Sequence, residues 1–207
     1  VTLSSAWKST DTRSFSNEVS ESTCSLSNTR NGFPSRRLRL VSANVGSLHT
    51  SHKYGGQQDI LNSCSRLSLL EDMFSSSDFD VVGIHEGRFR EEQQINGVHF
   101  TIHAAKSDSG CYGSQIWIKN SFRHEHLATI VSCSRLLAVV IVPDGHKAEL
   151  GLVAAHGPHS GDLPQNICDF WQLVTEFILG LQTRFPNLNV AMLCDANGRV
   201  GSVPSSS

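Results

Sequence analysis

The chain has 207 residues, of which 39% are hydrophobic and 17% charged, with a formal net charge of −2 and a sequence pI of about 6.6. This length suits one domain with a hydrophobic core. The near-neutral charge argues against binding nucleic acid through bulk basicity, so any such contact requires a local cluster or another part of the protein. No apolar run approaches the ~18 residues of a membrane span, and no leading segment resembles a signal peptide.

The cysteines do not form a metal or disulfide pattern, since none belongs to a Cys-x-x-Cys pair. We expect free, mostly buried thiols in a reducing, intracellular compartment. The six cysteines are Cys24, Cys64, Cys111, Cys133, Cys168 and Cys194.

Residues 1–35 are rich in Ser, Thr and Asn and show no hydrophobic period. Such a segment buries too little apolar surface to offset its loss of conformational entropy, so we predict a disordered lead over 1–35. The folded domain is expected to occupy 36–207. Because the chain begins with Val1 and not with Met, we expect it to be a piece of a longer reading frame.

The first half of this domain is predicted to contain a strand, a loop, a helix and a second strand. Alternating and then mostly apolar residues predict a strand over 38–45, and a polar loop follows over 46–56. Apolar residues at three- and four-residue spacing, including Leu67, Leu70, Met73 and Phe74, predict a helix over 58–75. A second strand over 80–86 is apolar through its centre, which is typical of a strand covered on both faces.

The second half begins with several short β-like runs separated by turn residues, which predict a meandering antiparallel sheet. These runs lie near 97–104, 113–119, 127–132, 136–142 and 149–155. One apolar stripe predicts a helix over 163–183, with Pro164 near its start, and a buried strand follows over 189–194. The order of elements predicts a mixed α/β domain of two sheets with helices outside.

Polar residues stand at the ends of three predicted buried strands: Asn44, Glu86, and Asp195 with Asn197. Ligands of open α/β sheets bind at strand ends. A carboxylate at the end of an apolar strand is costly to desolvate unless it is paired, and Mg²⁺, which prefers oxygen ligands, is a natural partner. Each residue taken alone also suits a turn or a helix cap, and 195–198 is a favourable turn sequence. The functional interpretation therefore depends on the set.

Six segments in order resemble motifs of the endonuclease/exonuclease/phosphatase family over roughly 36–207. The first three include a strand ending in Asn, a strand ending in a carboxylate where the family usually has Gln-Glu and this chain has His85-Glu86, and a Gly-rich strand. The other three resemble an Arg-bearing strand, a Tyr/His-x-Pro motif and a Gly-Asp-x-Asn motif in which Cys194 replaces Gly. The segments are LRLVSANVGSL (38–48), FDVVGIHEGR (79–88), GCYGSQIWIK (110–119), SRLLAVVIV (134–142), AAHGPHSG (154–161) and NVAMLCDANGRVGS (189–202).

This resemblance implies a DNase I-like, four-layered α/β sandwich of two packed mixed β-sheets with outer helices. It also implies an enzyme that cleaves phosphodiesters by in-line attack of an activated water with Mg²⁺, or alternatively Mn²⁺, as cofactor. By the same resemblance, Glu86 and Asn44 would serve the metal, and Asp195 would orient or deprotonate the water. Phosphate contacts would come from Asn44, Asn197, His156 and Arg88, with His156 also assisting the leaving oxygen.

The family's final Ser-Asp-His motif and an Asp-bearing loop before it find no match in this sequence, which stops at Ser207. We therefore expect a domain incomplete at its C-terminus that is poorly stable and nearly inactive alone. The forms of the fifth and sixth segments, HGPHSG and DANGRVGS, resemble endonuclease domains of non-LTR retrotransposons most. This favours nicking of DNA in the nucleus by a monomer with no membrane contact, whose parent chain carries a reverse transcriptase. The alternatives are a phosphatase or phosphodiesterase acting on a small phosphorylated substrate, and a non-catalytic relic.

Other polar residues are weaker candidates. The pairs His124-x-His126 and His156-x-x-His159 lack partners at zinc-ligand spacing, so surface or loop histidines are the favoured interpretation. The arginines at positions 36, 37, 39, 88 and 90 could meet phosphates but equally suit a solvated basic edge. The aromatic residues Trp117, Phe170 and Trp171 are expected in the core.

Overall fold

The computed structural model describes residues 19–25, 37–46 and 57–197, with the backbone alone for 19–25, 37 and 57–65. Within these ranges the chain forms ten strands and two helices. The strands are β1 Val19–Ser25, β2 Arg37–Asn44, β3 Val81–His85, β4 Gln93–Asn96, β5 Phe100–Ala104, β6 Gln115–Lys119, β7 His124–Cys133, β8 Leu136–Pro143, β9 Leu150–His156 and β10 Asn189–Asp195. The helices are α1 Gln57–Ser76 and α2 Pro164–Arg184.

The strands form two mixed sheets. The first has the order β1-β2-β3-β6-β5-β4, in which only β2 and β3 run parallel. The second has the order β10-β9-β8-β7, in which only β10 and β9 run parallel. The two parallel pairs therefore each bring two strand C-termini to one edge of their sheet, which is where polar ends can meet.

Three apolar clusters separate four layers. Alternate residues of β2, such as Leu38 and Leu40, face the second sheet, while Val41 and Ala43 face α1. Because successive side chains of a strand point to opposite faces, apolar residues cover both faces of the first sheet. The second sheet packs its other face on Phe170, Val174 and Leu181 of α2. The layers are therefore α1, first sheet, second sheet and α2, and the predicted DNase I-like four-layered sandwich is confirmed.

The two sheets approach closely where β3 packs against β10. A side chain at Gly83 would place its Cβ only 2.6 Å from Cβ of Leu193. Gly83 is therefore required by space, because contacts that short are not tolerated in a packed core. This approach brings the C-terminal ends of β3 and β10 close together across the sandwich.

Most predicted elements match the structure to within a few residues, including both helices. The predicted run over 97–104 contains β5 and the turn before it, and the structure adds β4, which was not predicted. Glu71 of α1 accepts the backbone N–H groups of His99 and Phe100 and fixes the turn between β4 and β5. The predicted loop over 46–56 lies, beyond Gly46, outside the described residues.

Two expectations about the elements need correction. The predicted disordered lead contains β1, which pairs along its whole length with β2. The backbone of a polar segment can be satisfied by a neighbouring strand even when its composition gives no hydrophobic signal. The rest of 1–35, and the boundary at 36, lie outside the described residues. Met73 is 47% exposed, although its spacing predicted the apolar face of α1.

The cysteines were expected to be mostly buried. Among the described ones, Cys111 and Cys168 are exposed, and Cys133 and Cys194 are partly buried. All four are free thiols, as predicted. No helix within the described ranges is long and apolar enough to cross a membrane.

Candidate active site

Four strand ends converge at one edge of the sandwich. Asn44 ends β2 beside His85 at the end of β3, and these two residues are register partners. Across the sandwich, His156 ends β9 beside Asp195 at the end of β10, and they are register partners too. Side chains that lie an even number of residues before these ends belong to the apolar cluster between the sheets, as Leu40, Leu152 and Leu193 do. The same alternation therefore aims the polar ends into the space between the sheets.

The amide of Asn44 joins two carboxylates from different sheets. Its Nδ2 donates hydrogen bonds to Glu86 Oε1 at 3.2 Å and to Asp195 Oδ2 at 2.9 Å. Its Oδ1 accepts the backbone N–H of Gly46 at 2.9 Å. The side chain thus has a fixed orientation, and it holds two negative groups together that would otherwise repel each other.

His156 lies against the same two carboxylates. Its Nε2 is 3.9 Å from Glu86 Oε1 and 3.8 Å from Asp195 Oδ2, and only 1% of its side chain is exposed. Neither ring nitrogen has a hydrogen-bond partner. The expectation of a surface or loop position is therefore wrong for His156, because β9 carries it into the interior.

Glu86 follows β3 in a strained turn. Its φ is +60° and that of Arg88 is +55°, both in the left-handed region that non-glycine residues rarely adopt. The turn is held by two backbone hydrogen bonds to the Gly-rich segment, from Gly87 N to Gly113 O at 2.9 Å and from Arg88 N to Tyr112 O at 3.0 Å. Strain of this kind persists only where the surroundings enforce it, and such positions cluster at functional sites.

Arg88 forms an ion pair with Glu86, with 3.0 Å between its NH2 nitrogen and Glu86 Oε2. The loop after β10 is fixed in a similar way. Asp195 Oδ1 accepts the backbone N–H of Asn197 at 3.1 Å, and Asn197, at φ +47°, donates from Nδ2 to Gly157 O at 2.8 Å. All six residues predicted for the site, from Asn44 to Asn197, are therefore in one connected cluster.

The protonation states follow from burial and charge. Burial raises the pKa of Glu86, but hydrogen bonds from Asn44 and Arg88 outweigh it and hold the pKa below its usual range. Burial lowers the pKa of His156, which the carboxylates of Asp195 and Glu86 oppose. Burial, with His156 nearby, lowers the pKa of His85 to about 4.

Sequence reasoning missed two residues that border His156. The ring of Tyr112 meets His156 edge-on with 5.5 Å between centroids, and the guanidinium of Arg135 lies 3.8 Å over the Tyr112 ring. Tyr112 has φ +62°, between two glycines of the same loop at positive φ. Glycines on both sides of an aromatic residue were the only sequence signal, and they indicate a tight loop without indicating what it touches.

The donor set suits a hard divalent cation. Mg²⁺ binds through one or two carboxylates, with waters and substrate phosphate completing its shell. Glu86 and Asp195 supply two carboxylates that converge on the same amide nitrogen and the same imidazole nitrogen. The oxygen of Asn44 is used by Gly46, so in this arrangement Asn44 supports the carboxylates without ligating. No group of three or more His, Cys, Asp or Glu within 19–25, 37–46 and 57–197 is placed to hold a metal ion.

Two solved structures are similar to this chain over most of its length. Humanized D. rerio TDP2 carrying 14 mutations matches with a TM-score of 0.53 and 18% identity, over 81% of this chain and 72% of that chain. The AP endonuclease LMAP from Leishmania major matches with a TM-score of 0.54 and 16% identity, over 82% of this chain and 58% of that chain. At such identities the likeness shows the fold, which is the DNase I-like α/β sandwich.

No protein-family profile matches the sequence. No curated protein matches it either.

Proposed function

We propose that this chain is a metal-dependent phosphodiesterase and, more narrowly, a DNA endonuclease of the non-LTR retroelement type. The observation that carries the proposal is the convergence of Glu86 and Asp195 on the Asn44 amide and on His156, at a partly buried edge between the two sheets. Two close carboxylates, both held by the Asn44 amide and one also paired with Arg88, form an environment suited to a divalent cation and a phosphate. The fold, shared with an AP endonuclease and with TDP2, supports the same class of chemistry.

Each side chain then has a role that its contacts allow. Asp195 keeps its carboxylate oriented through Asn44 and Asn197, so it can accept the proton of an attacking water. His156 directs Nε2 toward the same point and can donate to the phosphate or to the departing oxygen. A bound Mg²⁺ or Mn²⁺, held by Glu86, would neutralise charge that develops on that oxygen.

Arg88 and Asn197 flank this centre. Arg88 shares its guanidinium with Glu86, and its side chain is 36% exposed, so its remaining donors can reach a phosphate at the rim. The Nδ2 of Asn197 is used by Gly157, which fixes the side chain in place. Binding to the phosphate backbone through these residues would not select a base sequence.

Substrate class can be tested directly with the protein translated from the complete reading frame. We expect Mg²⁺-dependent nicking of supercoiled plasmid DNA that EDTA abolishes, and little release of phosphate from inositol phosphates. The net charge of −2 favours the second candidate, a phosphatase or phosphodiesterase acting on a small phosphorylated substrate. The opposite pattern would establish that candidate, and inactivity on both substrates with every divalent cation would indicate a non-catalytic relic.

On this proposal the protein acts on DNA in the nucleus, as a monomer, in a parent chain that carries a reverse transcriptase. Co-expression of the reading frame with its downstream sequence, followed by detection of reverse transcriptase activity in the same polypeptide, tests the last point. A complete reading frame without any polymerase domain would contradict it.

A further inference from the structure

His85 occupies the position before Glu86, where the family resemblance leads us to expect Gln, and its side chain is completely buried. Its Nε2 shares a hydrogen bond of 2.9 Å with Ser42 Oγ on the neighbouring strand. Its Nδ1 is buried without a partner. A buried polar nitrogen that lacks a partner destabilises the fold, so such a group requires an explanation.

The imidazole of His85 lies beside the imidazole of His156 in the candidate site. The centroids of His85 and His156 are 5.8 Å apart with the rings tilted by 46°. His156 is itself buried with both ring nitrogens unpartnered. Since Nε2 of His156 faces the two carboxylates, its Nδ1 is the nitrogen that lacks any assigned neighbour.

Other polar groups near His156 make no hydrogen bond to its ring, and one of them, the Arg135 Nε, is itself buried without a partner. Arg135 has its guanidinium over the Tyr112 ring, and Tyr112 meets His156 through its ring edge. His159 is also edge-on to His156, at 6.4 Å, and is exposed. One buried water between the two imidazoles would satisfy a nitrogen on each, and buried waters of this type partner otherwise unsatisfied polar groups.

We propose that His85 is a positioning residue, which holds His156 through a shared buried water so that the His156 Nε2–H faces the reacting phosphate. The donors then form a consistent series. The Ser42 hydroxyl donates to Nε2 of His85, and Nδ1–H of His85 donates to the water. The water donates to Nδ1 of His156, which leaves the proton of His156 on Nε2. Which nitrogen of an imidazole carries the proton is set by the partner of the other nitrogen.

This inference rests on the proposed function for its catalytic consequence, but its structural content can be tested without activity. Long-range ¹H–¹⁵N correlation spectra of the metal-free chain report the tautomer of each histidine. The expected result is the Nδ1–H tautomer for His85 and the Nε2–H tautomer for His156. Finding the same tautomer for both rings would overturn the proposal, and this measurement does not depend on any variant folding.

Two substitutions distinguish the roles of the two ring nitrogens of His85. In His85→Asn the amide lies near the former Nδ1, whereas in His85→Gln it reaches the former Nε2 and Ser42. We expect His85→Gln to reduce the Nε2–H tautomer of His156, and His85→Asn to retain it. Ser42→Ala removes the donor to Nε2 of His85, so it should also reduce the Nε2–H tautomer of His156. Val82→Ala, which loosens the opposite face of β3, serves as the control and should leave His156 in its tautomer. Equal behaviour of the Asn and Gln variants would refute the role of Nδ1.

The catalytic arm uses the protein from the complete reading frame. His85→Gln should lower kcat for plasmid nicking about tenfold with KM unchanged, which is the scale found for residues that orient a metal site from outside it. His85→Asn should retain most of kcat. A wild-type protein without cleavage would reject the proposed function, while the tautomers would still decide the arrangement of His85 and His156. If the His85→Gln variant has an altered His156 tautomer but the full kcat, the His156 tautomer does not matter for cleavage and this part of the proposal is wrong.

Discussion

Replacing Gly87 with Ala gives the sharpest test of how the turn that presents Glu86 is held. The new Cβ would lie 1.7 Å from Gln115 Nε2, 2.5 Å from Gln115 Cδ and 3.2 Å from Gly113 O. Gly87 does not have a positive φ, so the substitution is opposed by space and not by backbone conformation. Gln115 cannot move aside easily, because it is completely buried and its Oε1 accepts the indole N–H of Trp117 at 2.7 Å.

Overpacking a close-packed interior costs typically 1–3 kcal/mol, and a clash this severe belongs at the upper end. We therefore expect Gly87→Ala to lower the free energy of unfolding by about 3 kcal/mol in urea denaturation followed by circular dichroism. Gly161→Ala is the matched control, because nothing lies within 4 Å of a Cβ there. Its stability should stay within about 0.5 kcal/mol of the wild type.

A double-mutant cycle shows whether Gln115 is the cause. Gln115→Ala alone leaves the buried Trp117 N–H unpaired and should cost about 1–3 kcal/mol. In the double variant the clash is gone, so its loss should be smaller than the sum of the two single losses by at least about 1 kcal/mol. Additive losses, or a Gly87→Ala variant as stable as Gly161→Ala, would refute the packing account of this turn.

Three further outcomes follow from the structure. Asn44→Ala should lower the free energy of unfolding without metal by about 2 kcal/mol, since two hydrogen bonds to carboxylates are lost. Mg²⁺ should recover part of this loss, and equal urea midpoints for the variant and the wild type would contradict the prediction. Burial lowers the pKa of His103 from 6.5 to about 4, so the stability gained by keeping this ring neutral is complete above pH 6.5. It is lost as the pH falls toward 4, by at most about 3 kcal/mol of unfolding free energy. His103→Asn should flatten the stability–pH curve between these values, and an unchanged curve would exclude His103 as the cause. Glu71→Ala should cost about 2 kcal/mol because two backbone N–H groups lose their acceptor, while Glu71→Gln should retain most of the stability; comparable losses in both variants would show that the charge matters and not the acceptor.

Much of the fold could be predicted because the interior strands are marked by their apolar character. The runs over 81–85, 136–143 and 150–156 are buried almost throughout, and both helices carry apolar stripes. The strand β1 could not be predicted, since its sequence has no hydrophobic period and the structure shows it through its backbone pairing with β2. Met73 shows the opposite failure, because helical spacing does not say where the covering layer ends.

The candidate site was predictable as a set of residues but not as a geometry. Strand-end polar residues indicated Asn44, Glu86, Asp195 and Asn197, and the family resemblance added His156 and Arg88. The amide bridge between the carboxylates depends on the close approach of two sheets at Gly83, which is a long-range contact invisible in local sequence. The truncation and the roles assigned to the individual side chains stay predictions.

The central claim is that Glu86 belongs to a divalent-metal site that cleaves phosphodiesters. The most direct measurement is Mg²⁺-dependent nicking of supercoiled plasmid by the protein from the complete reading frame, compared with its Glu86→Gln variant over a Mg²⁺ titration. Glu86→Gln keeps the size of the side chain and an oxygen that can accept from Asn44, so the fold should persist. The account predicts metal-dependent nicking by the wild type and a loss of at least about 100-fold in the variant, on the scale of removing one preorganised charge-stabilising group. Nicking by Glu86→Gln at the wild-type rate and the wild-type Mg²⁺ dependence would contradict it.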